Sequence, residues 1–389
     1  MSDALAFVGA RIFDGARWHD DAALLTGPNG VEAIVPRASV GGARLEVLDG
    51  GLLVPGFVDL QVNGGGGVLL NEVPTLDGLA TICTTHVRYG TTALLPTLIT
   101  DTPAINAATV AAGIAAAEAE LPGFLGLHLE GPHLSIARKG AHDPKLIRPM
   151  EEADLEALIA ARKRLPNLLT TVAAETVTPA QIARLVAAGI VVSIGHSDAR
   201  FAQVEAAAEA GASMGTHLFN AMSQIGNREP GLVGAMLADG RFHAGLIADG
   251  IHVVPESIGI ALRAKRGPGR IFLVTDAMSM TGTDLTSFTL NGRQIFRANG
   301  ALRLADGTLA GADLTMIDAI AFMHRTIGLS LEEALRMATV YPAEALGVAA
   351  RHGRLGTGSA ADFVHLSEAL AVRSTWIGGR KAFAAEAAA

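Results

Sequence analysis

The chain has 389 residues, of which 50% are hydrophobic and 17% are charged, and its formal net charge is −8. This balance excludes a disordered protein and a broad basic surface for nucleic acid, and it allows a barrel of about 250 residues with a smaller module attached. Cys83 is the only cysteine, so no intrachain disulfide can form. With no signal-peptide pattern and no apolar run of membrane-spanning length, we expect a cytoplasmic protein without a membrane span.

The two ends of the chain share one pattern. The first 54 residues indicate short strands broken by turn signals such as Asp14-Gly15 and Gly41-Gly42, and residues 353–380 show the same pattern of short strands and glycine turns. We therefore predict a small β-sandwich module built jointly from residues 1–54 and 353–389. A catalytic domain would then occupy residues 55–352.

Apolar strand-like runs alternate with alanine- and leucine-rich helical stretches in this middle region. Eight such runs favour a closed (β/α)8 TIM barrel over an open sheet. Gly64–Gly67 lacks the spacing of a dinucleotide-binding loop and is predicted to be a flexible loop over the barrel mouth. The predicted strands are 56–62, 92–96, 124–130, 168–173, 191–196, 214–218, 242–247 and 271–275; the predicted helices are 102–120, 151–164, 179–188, 199–210, 313–327 and 330–339.

Polar residues close most of the predicted strands, at the end of a barrel where active sites lie. Each alone is also compatible with a structural role: a single histidine with a hydrogen-bonded core residue, and Asp276 with a helix N-cap. Together, Glu130, His196 and His217 match the three-ligand arrangement of a catalytic divalent metal site. Asp276, after the last strand, is placed to take a proton from a water and return it to a departing amine.

Seven segments in chain order resemble those of the N-acetylglucosamine-6-phosphate deacetylases of the amidohydrolase superfamily. The resemblance extends from about residue 50 to Gly347, and the flanking ends fit the small β module of that family. The segments are 55–64, 128–132, 139–142, 195–197, 216–222, 249–252 and 274–277.

The resemblance implies metal-dependent hydrolysis of N-acetyl-D-glucosamine 6-phosphate to D-glucosamine 6-phosphate and acetate, a step in amino-sugar catabolism. It implies that Glu130, His196 and His217 hold the metal and that Asp276 is the general base. His142 would polarise the acetyl carbonyl together with the metal. The implied binders of the sugar phosphate are Asn220, the backbone N–H of Ala221, His252 and Arg228.

In that family the arginine reaches over from a neighbouring subunit, so the resemblance also implies a homodimer. A planar guanidinium suits a phosphate monoester because it binds two oxygens at once.

Many amidohydrolases end the first strand with His-x-His, which binds a second metal, whereas this chain has Gln61-Val-Asn63. Amides are poorer ligands than imidazole for borderline divalent ions. We therefore predict one metal per subunit, with zinc as first choice and iron(II), cobalt or manganese also suited. Gln61 and Asn63 are expected to contact the substrate.

Four questions stay open at this stage. The substrate could be the galactosamine epimer, because no motif reports how one hydroxyl is recognised. The chain could also be a sugar-phosphate sensor without catalysis. His133 fits either a neutral loop residue or an extra substrate contact, and His128 faces the same side of its strand as Glu130 and could orient a ligand.

Overall fold

Eight parallel strands form one sheet in the computed structural model, which describes residues 5–386. Each strand pairs with the next along the chain, and a parallel bridge between Val62 and Ala277 joins the first strand to the end of the last. This arrangement confirms the predicted (β/α)8 barrel. The strands are β1 Phe57–Val62, β2 Thr91–Ile99, β3 Leu127–Glu130, β4 Leu168–Val172, β5 Val191–Ile194, β6 Met214–Gly215, β7 His243–Leu246 and β8 Ile271–Leu273.

Helices follow the strands, and two of them begin at the sequence pattern Thr-Pro. The Thr102 and Thr178 hydroxyls each accept a hydrogen bond from the backbone N–H three residues on, and the proline that follows has no N–H to leave unsatisfied. The Ser330 hydroxyl caps a later helix in the same way. The helices are α1 Leu76–Val87, α2 Pro103–Glu118, α3 Glu152–Arg162, α4 Pro179–Ala187, α5 Phe201–Glu209, α6 Gly231–Ala238, α7 Pro255–Ala264, α8 Met316–Arg325, α9 Leu331–Ala338 and α10 Val340–Leu346.

The six predicted helices are present as α2 to α5, α8 and α9, whereas α1, α6, α7 and α10 were not predicted. Helix α6 shows why one of these was missed. Seven of its eight residues are buried, so it has no polar face and no amphipathic period.

Strands β6 and β8 are shorter than predicted. His217 and Asp276 lie just beyond them with φ angles of +34° and +51°, and His196 after β5 has a φ of +45°. A left-handed backbone is uncommon for residues other than glycine, and it ends the extended conformation. Such conformations concentrate at functional sites, where they turn a side chain in a required direction.

The chain divides into two compact units. The first comprises the described residues up to Asp59, residues 84–93 and those from Thr315 onward; the second comprises residues 60–83 and 94–314. The predicted domain boundaries at residues 54 and 353 remain a prediction.

Strands from both ends of the chain build two sheets in the first unit. They share a core in which the rings of Phe7, Phe363 and Trp376 are in contact, with centroids 4.6–5.4 Å apart. This confirms the predicted β module. One sheet has the order Gly30–Pro36, Ala22–Gly27, Leu5–Val8, Arg44–Val47, and the other Arg380–Ala384, Val372–Ile377, Phe363–Leu366, Leu52–Pro55, Arg11–Phe13, Trp18–His19.

A further antiparallel sheet in the second unit was not predicted. We call it the 287–312 sheet; its core contains Leu290, Ile295 and Leu302, and Met278 and Met280 belong to the same cluster. Its strands are Ser287–Leu290, Arg293–Ala298, Ala301–Leu304 and Leu309–Ala312.

The predicted flexible loop at Gly64–Gly67 is instead part of a tight hairpin. Gly64–Gly65 pairs with Val68–Leu69, and Gly66 and Gly67 make the turn with φ angles of +64° and +86°, which glycine adopts without strain. Within residues 5–386, no helix is both long enough and apolar enough to cross a bilayer.

Candidate active site

A cavity of about 370 Å³ lies among the residues that follow the barrel strands. The 287–312 sheet contributes part of its wall. Nine of the eleven predicted site residues line it: Asn63, Glu130, His142, His196, His217, Asn220, Ala221, His252 and Asp276.

Glu130 is the centre of this cavity. Its Oε1 atom lies 3.1 Å from Nε2 of His196 and 3.1 Å from Nε2 of His217, and the two Nε2 atoms are 3.0 Å apart. All three side chains are buried. The three predicted metal ligands therefore present their donor atoms to one point.

The hydrogen bonds around His196 determine which of its nitrogens has the hydrogen. Nδ1 lies 2.7 Å from the carbonyl oxygen of Arg138, which only accepts, so Nδ1 holds a hydrogen, and when the ring has only that hydrogen its Nε2 presents a lone pair. Oε1 of Glu130 is also an acceptor. Two acceptors 3.1 Å apart repel each other unless a metal ion or a proton lies between them.

A small divalent cation fits this arrangement. Bonds of about 2.0–2.2 Å to one ion place the donor atoms of a tetrahedral site about 3.3–3.5 Å apart. The observed separations of 3.0–3.1 Å are close to this spacing. One carboxylate and two imidazoles also form the donor set that zinc and similar divalent metals prefer.

The pKa shifts of these groups have the same physical origin. Burial opposes ionisation of Glu130, but the adjacent imidazoles of His196 and His217 hold its pKa well below the usual range. Burial works against the charged form of His217, yet the adjacent Glu130 carboxylate raises the pKa of that imidazole. The site therefore keeps a carboxylate ionised in a buried position, where it attracts a cation.

His142 reaches the same point from the loop after β3. Its Nε2 lies 4.0 Å from Oε1 of Glu130, and the ligand atoms of Glu130, His142 and His196 lie within 4.8 Å of one another. Burial and the neighbouring His196 hold the pKa of His142 well below its ordinary value, so its ring is neutral. Gly140 lets this loop approach closely, because a Cβ there would lie 3.1 Å from Cε1 of His196.

Gln61 and Asn63 connect the carboxylates of Glu130 and Asp276. The Gln61 amide donates to Oε2 of Glu130 and to Oδ1 of Asp276, both at 3.2 Å, and the Asn63 amide donates to Oδ1 of Asp276 at 2.6 Å. These side chains thus turn N–H groups toward the carboxylates. An N–H donor cannot ligate a metal.

Asp276 is buried in the wall of the cavity. Burial and the negative charge of Glu130 raise the pKa of Asp276 to about 6, although the Asn63 hydrogen bond acts in the opposite direction. A carboxyl group with a pKa near the working pH is suited to taking up and returning a proton.

His252 is held by Asp249. Nδ1 of His252 lies 2.6 Å from Oδ2 of Asp249, and Oδ1 of Asp249 accepts from the backbone N–H groups of Ile251 and His252 at 2.8 Å. Although burial opposes it, the contact with His252 lowers the pKa of Asp249. His252 is therefore fixed in the cavity wall beside an ionised carboxylate.

Two of the predicted site residues, and the two histidines whose roles were left open, do not line this cavity. Gln61 contacts Glu130 and Asp276 but lines a separate small void, and Arg228 is exposed and does not line the cavity. His133 lines a separate cavity of about 740 Å³ bounded by α2 and α3. The ring of His128 lies 2.7 Å from Oγ1 of Thr171 and 3.3 Å from Oγ1 of Thr97, in the barrel interior, and burial lowers its pKa to about 4.

Residues 52–382 match the amidohydrolase family. The chain belongs to this family. The match covers most of the chain, including all residues that line the cavity, and it agrees with the barrel and with a metal-binding group in the cavity.

Relatives of this amidohydrolase are named for one kind of activity, deacetylation. The chain is 44% identical over 341 residues to N-acetylgalactosamine-6-phosphate deacetylase of Shewanella sp. (strain ANA-3). This alignment covers 88% of this chain and 86% of the relative. It is 35% identical over 354 residues to N-acetylglucosamine-6-phosphate deacetylase of Haemophilus influenzae, an alignment that covers 90% of this chain and 92% of the relative. The crystal structure of N-acetylglucosamine-6-phosphate deacetylase from Pasteurella multocida superimposes on this chain with a TM-score of 0.93 at 34% sequence identity. The superposition covers 97% of this chain and 99% of the crystal structure.

Sequence reasoning missed part of the cavity wall of this amidohydrolase. Leu290, Arg303, Thr308 and Leu309 line the cavity from the 287–312 sheet. The only signal in the sequence was a set of glycine turns between residues 282 and 311. That signal indicates short strands without indicating what they cover.

Proposed function

We propose that this amidohydrolase removes the acetyl group of N-acetyl-D-glucosamine 6-phosphate, which yields D-glucosamine 6-phosphate and acetate. The observation that carries the proposal is the meeting of Glu130, His196 and His217 at one point, with Asp276 joined to Glu130 through Gln61. Relatives at 34–44% identity named as deacetylases of N-acetylated hexosamine 6-phosphates support the substrate class. Acetate release by the purified protein tests it.

Glu130, His196 and His217 would hold one divalent metal. When bound, the metal would lower the pKa of a water molecule and polarise the acetyl carbonyl. Asp276 accepts a proton as water adds to the carbonyl carbon, and it delivers that proton to the nitrogen as the C–N bond breaks. His142 stabilises the negative charge that develops on the carbonyl oxygen, because its neutral ring offers an N–H in a buried cavity.

The phosphate end of the substrate is assigned to Asn220, the backbone N–H of Ala221, His252 and Arg228. His252 lines the cavity with Nδ1 held by Asp249, and the protonated form of its ring would donate the Nε2 hydrogen to a phosphate oxygen. Arg228 is exposed and outside the cavity of its own chain, which agrees with a role in the cavity of a second copy. The protein is thus proposed to act as a homodimer.

We expect one metal ion per subunit, with zinc as the first choice. The Gln61 and Asn63 amides donate hydrogen bonds to Glu130 and Asp276 and occupy the positions from which histidines would bind a second ion. Loading with excess zinc, followed by desalting and elemental analysis, should give one tightly held equivalent. Two tightly held equivalents would contradict the prediction.

A mixing experiment tests the role of Arg228. Arg228→Ala and Asp276→Asn should each have very low activity alone, because each lacks one component of every site. When the two proteins are dissociated together and reassembled, hybrid dimers contain one complete site, so activity should recover to about a quarter of the wild-type value for a random mixture of C2 dimers. No recovery, with hybrid dimers present, would show that Arg228 acts within its own chain or not at all.

The galactosamine epimer is the second candidate substrate. The Shewanella relative at 44% identity is named for that sugar, whereas the Haemophilus and Pasteurella relatives are named for the glucosamine epimer. The epimers differ in one hydroxyl, and a site built to hydrogen-bond a hydroxyl discriminates strongly against its misplacement. Comparison of kcat/KM for the two sugar phosphates decides between them, and release of acetate from either excludes a non-catalytic sensor.

A further inference from the structure

We propose that Thr100 is a positioning residue that fixes the tautomer of His142, so that Nε2 of His142 has the hydrogen that meets the acetyl carbonyl. The inference rests on the proposed function for the identity of that carbonyl. Its structural part concerns only Thr100 and His142. A neutral imidazole has one N–H donor and one acceptor nitrogen, and only the partners of the ring select between the two forms.

Thr100 directly follows β2 and is buried against the His142 ring, which lies 42 residues further along the chain. The backbone N–H of Thr100 donates to Nδ1 of His142 across 3.3 Å. The Thr100 hydroxyl oxygen lies 2.8 Å from the same nitrogen. One residue therefore supplies two hydrogen-bonding groups to Nδ1.

The two groups act together on Nδ1: the amide N–H sets the direction of the bonds, and the closer hydroxyl supplies the stronger of them. An amide N–H can only donate, so a hydrogen on Nδ1 would face a second hydrogen. The hydroxyl hydrogen has two acceptors within reach, Nδ1 at 2.8 Å and the Glu130 carbonyl oxygen at 3.4 Å, and the shorter contact favours Nδ1. Nδ1 is therefore an acceptor, and the ring hydrogen lies on Nε2.

His196 provides the contrast within the same cavity. Its Nδ1 faces the Arg138 carbonyl, which only accepts, so its Nε2 presents a lone pair. The two neighbouring rings, with centroids 4.3 Å apart, thus have opposite tautomers because opposite backbone groups face their Nδ1 atoms. His196 is prepared to bind a cation, and His142 is prepared to donate to an oxygen.

This difference has a consequence for the metal. Nε2 of His142 is only 4.0 Å from Oε1 of Glu130, close enough for His142 to compete as a ligand. A nitrogen with a hydrogen has no lone pair for a metal. Thr100 would thereby keep His142 out of the ligand set of a bound metal, so that the ring remains able to donate to the substrate.

Thr100→Val tests the proposal, because valine has nearly the same shape but lacks the hydroxyl and leaves Nδ1 only the longer amide contact. Thr100→Ser retains the hydroxyl. Thr109→Val is the matched control, since Thr109 is a buried threonine of α2 whose hydroxyl has no partner among the described residues. The first measurement is the nitrogen-15 NMR spectrum of histidine-labelled, substrate-free protein, with His142→Gln to assign the His142 signals.

We expect the Nε2–H tautomer for His142 in the wild type, Thr100→Ser and Thr109→Val, and a mixture of tautomers in Thr100→Val. In acetate-release assays, Thr100→Val should lower kcat about tenfold with KM changed less than about twofold, as the loss of one hydrogen bond that acts on the transition state would do. Thr100→Ser should stay within about twofold of the wild type.

An Nδ1–H tautomer in the wild type, or an unchanged spectrum and kcat in Thr100→Val, would overturn the proposal. The spectrum requires no substrate, so it separates this inference from the proposed function. If the wild type shows Nε2–H and Thr100→Val a mixture, but the wild type releases no acetate from either sugar phosphate, the function fails while the control of the tautomer by Thr100 stands. If Thr100→Val does not fold, Thr100→Ala removes the same hydroxyl with a smaller side chain and should give the same mixture of tautomers, and an unchanged spectrum there would overturn the proposal.

Discussion

Asp276→Asn should lower kcat by roughly a thousandfold or more, because general acid–base groups contribute about 10²–10⁴ to a rate. Asparagine has the same shape and can still meet the Gln61 and Asn63 amides, but it cannot take a proton from water. KM should change little, since Asp276 acts on the transition state. The measurement is steady-state acetate release at a fixed metal load.

Asp20→Asn is a suitable control because it makes the same change at an exposed carboxylate that pairs with Arg11. It should behave as the wild type. If Asp276→Asn retained activity within tenfold of the wild type, Asp276 would not be the proton carrier.

The pH dependence gives a second reading of Asp276. The group must be ionised to accept a proton, and burial together with Glu130 raises its pKa to about 6. A metal cation bound beside it favours the ionised form and lowers that value. The kcat/KM of the wild type should therefore rise with pH along an acid limb centred at or below about 6, and this limb should be absent from the residual activity of Asp276→Asn.

Glu130→Gln should remove both the metal and the activity. The change deletes the one negative charge among the three predicted ligands and leaves two imidazoles with an amide, which binds borderline cations weakly. Mutation of a residue that only hydrogen-bonds to a metal ligand typically lowers metal affinity about 10–100-fold. Loss of a direct ligand should therefore weaken metal binding more than about 100-fold. Elemental analysis after desalting and acetate release measure the two effects.

Thermal stability provides an independent readout of the same variant. A ligand that binds only the folded protein raises Tm, so zinc should raise the Tm of the wild type and have little effect on Glu130→Gln. Glu72→Gln is the matched control: Glu72 is exposed and does not line the cavity. A full equivalent of metal in Glu130→Gln, with activity within tenfold of the wild type, would remove Glu130 from the ligand set.

The barrel and the centre of its cavity were predictable because strand ends keep their positions in this fold. Each parallel strand delivers its last residues to the same edge of the sheet, so a polar residue after an apolar run identifies a cavity residue. Glu130, His196 and His217 follow from this rule alone.

Other features required information that the strand pattern does not contain. His142 lies in a loop, and only the family resemblance indicated it. The 287–312 sheet was missed because its strands have four to six residues with little alternation, as in Arg293–Ala298. In the sequence, Thr100 is indistinguishable from any threonine at the end of a strand, and only the fold brings it to His142. Helix α6 lacks a polar face because almost all of its residues are buried.

The most direct test of the central claim is to measure acetate release from N-acetyl-D-glucosamine 6-phosphate and its galactosamine epimer with metal-loaded protein of known metal content. We predict acetate and free amine in equal amounts and a kcat/KM of about 10⁴ M⁻¹s⁻¹ or more, with the glucosamine epimer preferred. Removal of the metal by a chelator should abolish the activity, and zinc should restore it. Absence of acetate release from both sugar phosphates by the metal-loaded protein would contradict the account.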